Sequence, residues 1–208
     1  MKAYPRNRVK SFITRLAERP SARDSFNPYQ TPALARNLEL YLQATWRDAR
    51  YQGLMLVGEA LGYRGGRNTG IPFSSSQLFQ QVPHSFLSEL APRLTLASQD
   101  GEATAAIVWQ YLATRQELPL FWNAFPFHPH RGNEPGSNRK PLRAELEEGA
   151  GLLSELALIF KPARVAGLGR EGQRLAASVF PETHVTYIRH PSYGGKSAFI
   201  HGMKKLMP

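Results

Sequence analysis

Cysteine is absent from the sequence. Its absence excludes disulfide bonds, zinc sites built on thiolates and iron–sulfur clusters held by cysteine. Long apolar runs are absent as well, and none suited to a membrane helix or to the core of a secretory signal follows the basic N-terminus. We therefore expect an intracellular protein without membrane association, whose chemistry relies on other side chains.

Acidic residues are scarce relative to basic ones. The 26 Lys and Arg exceed the 16 Asp and Glu, which gives a formal net charge of +10. Such a balance is typical of proteins that bind a polyanion, most commonly nucleic acid, although a basic surface that only maintains solubility gives the same count. The 208 residues, 42% of them hydrophobic, suffice for a single domain over residues 1–208 with a full core.

After an N-terminal helical part, residues 1–50, short apolar runs alternate with longer segments of helical periodicity. The pattern predicts helices over 9–19, 33–50, 76–90, 102–115, 143–160, 171–180 and 197–206, and strands over 53–58, 118–123, 164–169 and 184–189. It indicates a three-layer α/β fold, with helices on both faces of a central, mostly parallel four-stranded sheet. In such folds the functional loops follow the carboxyl ends of the strands.

A Gly-x-Gly-x-x-Gly string at Gly167, Gly169 and Gly172 follows a predicted strand and opens a helix. A dinucleotide-binding fingerprint normally belongs to a first strand and has an acidic residue about 20 positions later, and neither condition holds here. We attribute these glycines to close packing of a helix on the sheet.

Two further clusters carry weak signals. His128 and His130 are one residue apart, but no carboxylate cluster completes a metal site around them, so we expect no metal and assign the pair to phosphate contact in a loop. Glu145, Glu147 and Glu148 fall on a helix face that we expect to be exposed, which disfavours catalysis by paired carboxylates.

The loops after the first two predicted strands carry stronger signals. The loop 58–73 contains five glycines, which allow backbone amides to approach a ligand closely, and it ends at Phe73, an aromatic ring suited to stacking on a planar base. A flexible surface loop is the alternative. Asn123 ends the second strand, and its amide offers an acceptor and donors that match the N3–H and O4 edge of uracil. Hydrogen bonds to neighbouring backbone would explain a buried asparagine equally well.

The last loop begins at His190, which precedes a proline and is therefore held in an extended conformation. A single histidine is more often structural, but a donor aimed at the O2 atom of a base would stabilise the negative charge that develops when an N-glycosidic bond breaks. The following Tyr193, Gly194 and Lys196 suit contact with a nucleic-acid backbone and the gap left by an extruded nucleotide.

Three segments together resemble the uracil-DNA glycosylase superfamily, most nearly its family 4. They are Gly58-Glu59-Ala60-Leu61-Gly62 running on to Pro72-Phe73, Asn123 with the downstream segment 132–141, and His190-Pro191-Ser192. The stretch 66–73 is also similar to the single-strand-selective monofunctional uracil glycosylases. The resemblance extends from about residue 54 to the C-terminus.

The resemblance implies roles for these residues. Phe73 would stack on the flipped uracil, Asn123 would read its polar edge, and His190 would stabilise the leaving anion. Glu59 would position water or shape the pocket, whose wall would be completed by Gly58, Ala60, Gly62 and Tyr63. Contacts with DNA are expected from Ser192, Tyr193, Gly194, Lys196, Arg139 and Lys140.

The sequence departs from the family 4 pattern at three points. The iron–sulfur cysteines are missing, Leu61 stands in place of a proline, and Ala60 stands where some branches carry an Asp or Asn that activates water. Gly62 occupies the place of a tyrosine that excludes thymine in another branch, and the adjacent Tyr63 is the candidate for that role. Catalysis would then depend on His190 and on electrostatic stabilisation of a dissociative transition state.

We accordingly expect a monofunctional DNA glycosylase without a cofactor, which releases uracil from DNA and leaves an abasic site in base excision repair. Its partner would be DNA with a damaged base, and it would act as a monomer in the cytoplasm, associated with the nucleoid in a bacterium. Two alternatives remain open. The released base is another deamination product such as hypoxanthine or xanthine, or the protein binds nucleic acid on the same scaffold without catalysis.

Overall fold

The computed structural model describes residues 3–208. Its strands are β1 (Ser25–Phe26), β2 (Leu54–Ala60), β3 (Leu120–Phe125), β4 (His128–Pro129), β5 (Arg164–Leu168) and β6 (Val185–Ile188). Its helices are α1 (Arg6–Glu18), α2 (Pro32–Arg47), α3 (Gly66–Thr69), α4 (Leu78–Gln81), α5 (Ser85–Leu90), α6 (Ala103–Leu112), α7 (Arg143–Phe160), α8 (Arg170–Val179) and α9 (Lys196–Leu206).

The main sheet has four strands in the order β3-β2-β5-β6, and every pair is parallel. The predicted three-layer α/β fold with a central four-stranded sheet is confirmed. Strand β2 lies between β3 and β5, and its register places Gly58 beside Asn123 of β3. Because the strands run in one direction, the loops that follow β2, β3 and β6 leave the sheet at the same edge.

Side-chain alternation along β3 sends neighbouring residues into opposite layers of the core. The Phe121 ring lies 5.6 Å from the ring of Trp109 in α6 and 5.1 Å from that of Phe73. The next residue, Trp122, packs at 5.5 Å against Phe12 of α1 on the other face. Asn123 therefore points to the same side as Phe121, where Phe73 lies.

The two predicted N-terminal helices are present as α1 and α2, and both pack on the core through buried apolar side chains. Tyr41 of α2 also accepts a hydrogen bond from the backbone N–H of Phe121 at 2.7 Å, which ties this helix to β3. The N-terminal helical part thus supports the strand that carries Asn123.

Two predicted segments differ from the structure. The single helix expected over 76–90 is divided into α4 and α5, because Pro83 forces the preceding Val82 into an extended conformation. The loop expected after β3 contains β4, which pairs antiparallel with β1, so that Phe26 lies opposite His128. Neither β1 nor β4 exceeds two residues, which is too short for a periodic signal in the sequence.

The glycine string after β5 serves packing, as predicted. A Cβ added at Gly167 would collide with the backbone of Gln173, and one added at Gly172 would collide with the carbonyl oxygen of Val57. The absence of both side chains lets α8 lie directly on β2 and β5.

None of the helices within residues 3–208 combines the length and the apolar character needed to cross a bilayer.

Candidate active site

A cleft opens at the carboxyl edge of the sheet and holds about 330 Å³ of empty space, including its mouth. This volume is at the lower end of the range of about 300–1,000 Å³ that is common for small-molecule sites. The residues that line it are Glu59, Ala60, Leu61, Gly62, Gly66, Phe73, Glu102, Thr104, Asn123 and His190. Six residues predicted from the three loops are therefore brought together here, namely Glu59, Ala60, Gly62, Phe73, Asn123 and His190.

Phe73 lies on one wall of the cleft and is held in an unusual conformation. Its φ angle is 51°, in the left-handed region that side chains rarely adopt, and its carbonyl oxygen accepts a hydrogen bond of 2.9 Å from the indole N–H of Trp109. Phe121 supports the ring from below. The conformation is thus fixed by the core, and it presents an aromatic surface to the cleft.

Asn123 is only 2% exposed, yet its side-chain amide makes no hydrogen bond to any residue between 3 and 208. Buried amides are almost always paired, and leaving one unpaired costs about 1–3 kcal/mol. The amide lies close to the Phe73 ring, since a Cβ added at Gly58 would collide with both side chains. An unpaired amide beside an exposed ring face is suited to bind the polar edge of a planar base.

His190 reaches the cleft from the loop after β6. The backbone N–H of Ser192 donates to its Nδ1 at 3.3 Å, and the Ser192 hydroxyl lies 2.7 Å from the same atom. A backbone N–H can only donate, so Nδ1 accepts and the ring proton of the neutral imidazole resides on Nε2. Burial, assisted by the charge of Arg189, holds the pKa of His190 below its ordinary value. His190 is therefore a neutral donor at neutral pH.

Glu59 is the first residue after Gly58, where β2 enters the cleft. Burial raises the pKa of its carboxyl, the nearby charge of Lys140 opposes this rise, and Glu171 adds to it. No hydrogen bond or ion pair engages this carboxylate within residues 3–208. Its oxygens are free to accept a hydrogen bond from water in the cleft.

Glu102 also lines the cleft, and the sequence analysis did not identify it. It precedes the first residue of α6, but its side chain does not cap that helix. Instead the carboxyl lies against the loop after β2, with its Cδ 3.4 Å from the position that a Cβ would take at Gly62. Burial raises the pKa of Glu102 to about 7. No local signal marked it, because its role depends on where α6 begins relative to a loop some 40 residues earlier.

Residues 48–201 of the chain match the family described as the uracil DNA glycosylase superfamily. The chain belongs to this superfamily. Membership supports DNA glycosylase activity as its broad function. A similar solved structure is "The crystal structure of WT Pedobacter heparinus SMUG2", with a TM-score of 0.65 and 13% sequence identity over 96% of this chain and 97% of that one. At this identity the likeness shows a common fold. No curated protein sequence matches the chain.

In this glycosylase-family cleft, two predicted site residues have other surroundings. Tyr63 does not line the cleft. Its backbone N–H donates to the Asn138 side chain and its ring lies under the Arg64 guanidinium, on the side of the loop 132–141. Its predicted role in shaping the pocket and excluding thymine is therefore not supported by its position.

Arg139, which we expected to contact DNA, uses its five N–H donors within the protein. They bind both carboxylate oxygens of Glu145 and the carbonyl oxygens of His130, Lys140 and Asp24. The predicted DNA contact is thus replaced by a structural role, in which Arg139 fastens the loop 132–141 to the start of α7. Glu145 is correspondingly buried, which corrects the expectation of an exposed carboxylate.

The histidine pair is also structural. His128 and His130 are buried and stacked, with ring centroids 5.5 Å apart, and the ring nitrogens of His128 contact the carbonyl oxygens of Leu61 and Pro135. The predicted phosphate contact is wrong, because the rings lie beneath the loops. No group of three or more potential metal-ligating side chains occurs in the part of the chain that the structure describes.

The predicted DNA-contacting residues of the last loop lie at the rim of the cleft. Tyr193 is 98% exposed at a φ of 50°, Gly194 follows at a φ of 74°, and Lys196 is exposed at the start of α9. Lys140 is exposed near Glu59 on another side. Ser192 contacts His190, so the structure gives it a positioning role in addition to any contact with DNA.

Proposed function

We propose that the protein is a monofunctional DNA glycosylase that hydrolyses the N-glycosidic bond of uracil and leaves an abasic site. The observation that carries the proposal is the buried, unpaired amide of Asn123 beside the ring of Phe73. A deaminated pyrimidine supplies what these groups lack, namely a planar surface for the ring and an N–H/C=O edge for the amide.

The leaving base is the centre of the proposed chemistry. Cleavage of the bond between C1′ and N1 sends its electron pair into the pyrimidine, and negative charge develops on O2. The Nε2–H of His190 donates to this oxygen, and the neutral form of the imidazole lets it do so without first losing a proton. Water adds to C1′ as the bond breaks, and Glu59 orients this water through its free carboxylate.

The reaction proposed is simple hydrolysis without a lyase step. A lyase step needs an amine that forms a Schiff base with the sugar. The side chains lining the cleft include no lysine within the described residues, and Lys140 and Lys196 are at its rim. These two lysines are suited to neutralise phosphates of the DNA backbone.

Access to the base requires that the nucleotide leave the duplex, because C1′ is shielded within it. The exposed Tyr193 is placed to fill the space that the extruded nucleotide vacates. On this proposal the partner is DNA with a damaged base, the protein acts as a monomer in the cell interior near the nucleoid, and the process is base excision repair. The single domain over residues 1–208, the resemblance to family 4 and the absence of a cofactor stay predictions.

The test is excision of uracil from oligonucleotides by purified protein, detected as alkaline cleavage at the abasic site. Removal of one transition-state donor costs about 10²–10³-fold in rate, so we expect losses of this size in Asn123→Ala and in His190→Ala, with affinity for undamaged DNA nearly unchanged. The matched controls Asn7→Ala and His201→Ala alter exposed residues of α1 and α9 and should retain activity.

Two results would contradict the proposal. Unchanged excision in Asn123→Ala and His190→Ala would refute the assigned roles. Salt-sensitive binding to DNA without excision of any base would favour a nucleic-acid-binding protein that lacks catalysis.

A further inference from the structure

Glu102 enters the cleft opposite the start of the glycine-rich loop. The Asn123 amide lies beside Gly58, where this loop begins, whereas the Glu102 carboxyl lies against Gly62 and Gly65 further along it. A Cβ at Gly65 would collide with the carboxylate, so only a glycine there lets Glu102 approach the loop. A base that lies on Phe73 therefore meets the two polar groups along different edges.

The Glu102 carboxyl has no hydrogen bond or ion pair within residues 3–208, and burial is the only cause that raises its pKa. Uracil cannot satisfy it, because the pyrimidine edge remote from the N3–H and O4 side carries only C–H groups. A purine is different, because its N7 atom is a hydrogen-bond acceptor on the remote edge. The cleft wall at this point is formed by Ala60, Gly62 and Gly66, whose small size leaves room for the larger base.

We propose that Glu102 is a second base-recognition group and the catalytic acid for deaminated purines, so that the cleft accepts hypoxanthine or xanthine in addition to uracil. This inference rests on the glycosylase activity proposed above. It adds a residue and a class of substrate that the three loop motifs do not indicate.

The chemistry balances as follows. The neutral carboxylic acid of Glu102 donates its proton to N7 of the purine while the bond between C1′ and N9 breaks. The electron pair of that bond enters the ring system, and protonation at N7 lets the base leave without net negative charge. Water supplies the oxygen that adds to C1′, and the Glu102 carboxylate takes up a proton from solvent after the base departs.

The proton on Glu102 gives this activity a distinctive dependence on pH. With its pKa at about 7, Glu102 is largely neutral below this value and ionised above it. The other titratable groups facing the cleft are Glu59, whose pKa is raised by burial and reduced by Lys140, and His190, whose pKa is lowered. His190 is thus neutral through the range in which Glu102 loses its proton.

The experiment measures single-turnover excision of hypoxanthine and of uracil between pH 5.5 and 9 by the full-length protein, Glu102→Gln and Glu102→Asp. The wild-type rate on hypoxanthine should fall about tenfold per pH unit above pH 7, and the rate on uracil should not follow this fall. In Glu102→Gln, excision of hypoxanthine should drop about 10²-fold or more and lose the decline above pH 7, while excision of uracil should change less than about threefold.

The Glu102→Asp variant keeps a titratable carboxyl and should retain the decline at reduced rate. The control Glu182→Gln changes an exposed residue between α8 and β6 and should behave as the wild type. Equal loss on both bases in Glu102→Gln would show a structural role and overturn the inference, as would wild-type excision of uracil with none of hypoxanthine. Excision of hypoxanthine without uracil would support the inference and refute the uracil assignment, and no excision of either base would refute both.

Discussion

Glu102 should make the stability of the protein depend on pH in a way that a single substitution abolishes. Its ordinary pKa of 4.5 applies to the unfolded chain, and burial raises the pKa to about 7 in the folded protein. Between these values the folded state binds more protons than the unfolded state. The stability contributed by this difference is present below pH 4.5 and is lost as pH rises through 7.

The magnitude follows from the two pKa values. The difference between 4.5 and about 7 corresponds, at about 1.4 kcal/mol per pH unit, to about 3 kcal/mol. Because Glu102 retains partial exposure, solvent screening makes this an upper value. In Glu102→Gln the buried group cannot ionise. The variant should therefore match the wild type near pH 4.5 and exceed its free energy of unfolding by about 2–3 kcal/mol at pH 8.

The assay is urea unfolding of both proteins at intervals between pH 4.5 and 8.5, analysed as the difference between them at each pH. Three histidines with lowered pKa values, His84, His128 and His190, also titrate in this range, but they are common to both proteins and cancel in the difference. Glu182→Gln should give a difference that is flat with pH. A flat difference for Glu102→Gln as well would refute the environment assigned to this carboxyl.

Three other substitutions test the fold and the rim of the cleft. Gly149→Ala in α7 would drive a Cβ into a backbone carbonyl of β3 and should reduce the free energy of unfolding by about 2 kcal/mol or more, whereas Gly151→Ala meets no atom within 4 Å and should raise it by up to about 1 kcal/mol; equal effects in urea unfolding would contradict this packing. Arg139→Ala strands a buried carboxylate and should cost about 3 kcal/mol in the same assay, so an unaltered unfolding midpoint would argue against the structural role. Tyr193→Gly relieves a left-handed backbone and should add about 1 kcal/mol of stability while slowing excision from duplex DNA about tenfold; undiminished excision would show that the ring does not support the extruded nucleotide.

Local patterns in the sequence were sufficient for the framework. The apolar runs that became β2 and β3 are buried on both faces, so their hydrophobic signal was continuous, and the helix α7 was predicted with the bounds that it has. Parallel strands place their carboxyl ends at one edge, which is why Asn123 and His190 could be assigned to one cleft although 67 residues separate them. The break between α4 and α5 carried a signal in Pro83, which the helical periodicity outweighed.

Tertiary structure alone decided which polar groups face the cleft and which serve the fold. Arg139 and Lys140 are neighbours in a basic stretch, yet one is held by the carboxylate of Glu145 while the other is exposed. Glu102 belongs to no motif and becomes a pocket residue only because the start of α6 packs against the glycines after β2. Charge and spacing in the sequence specify what a side chain can do, but burial and partners arise from contacts between distant segments, and these determine what it does.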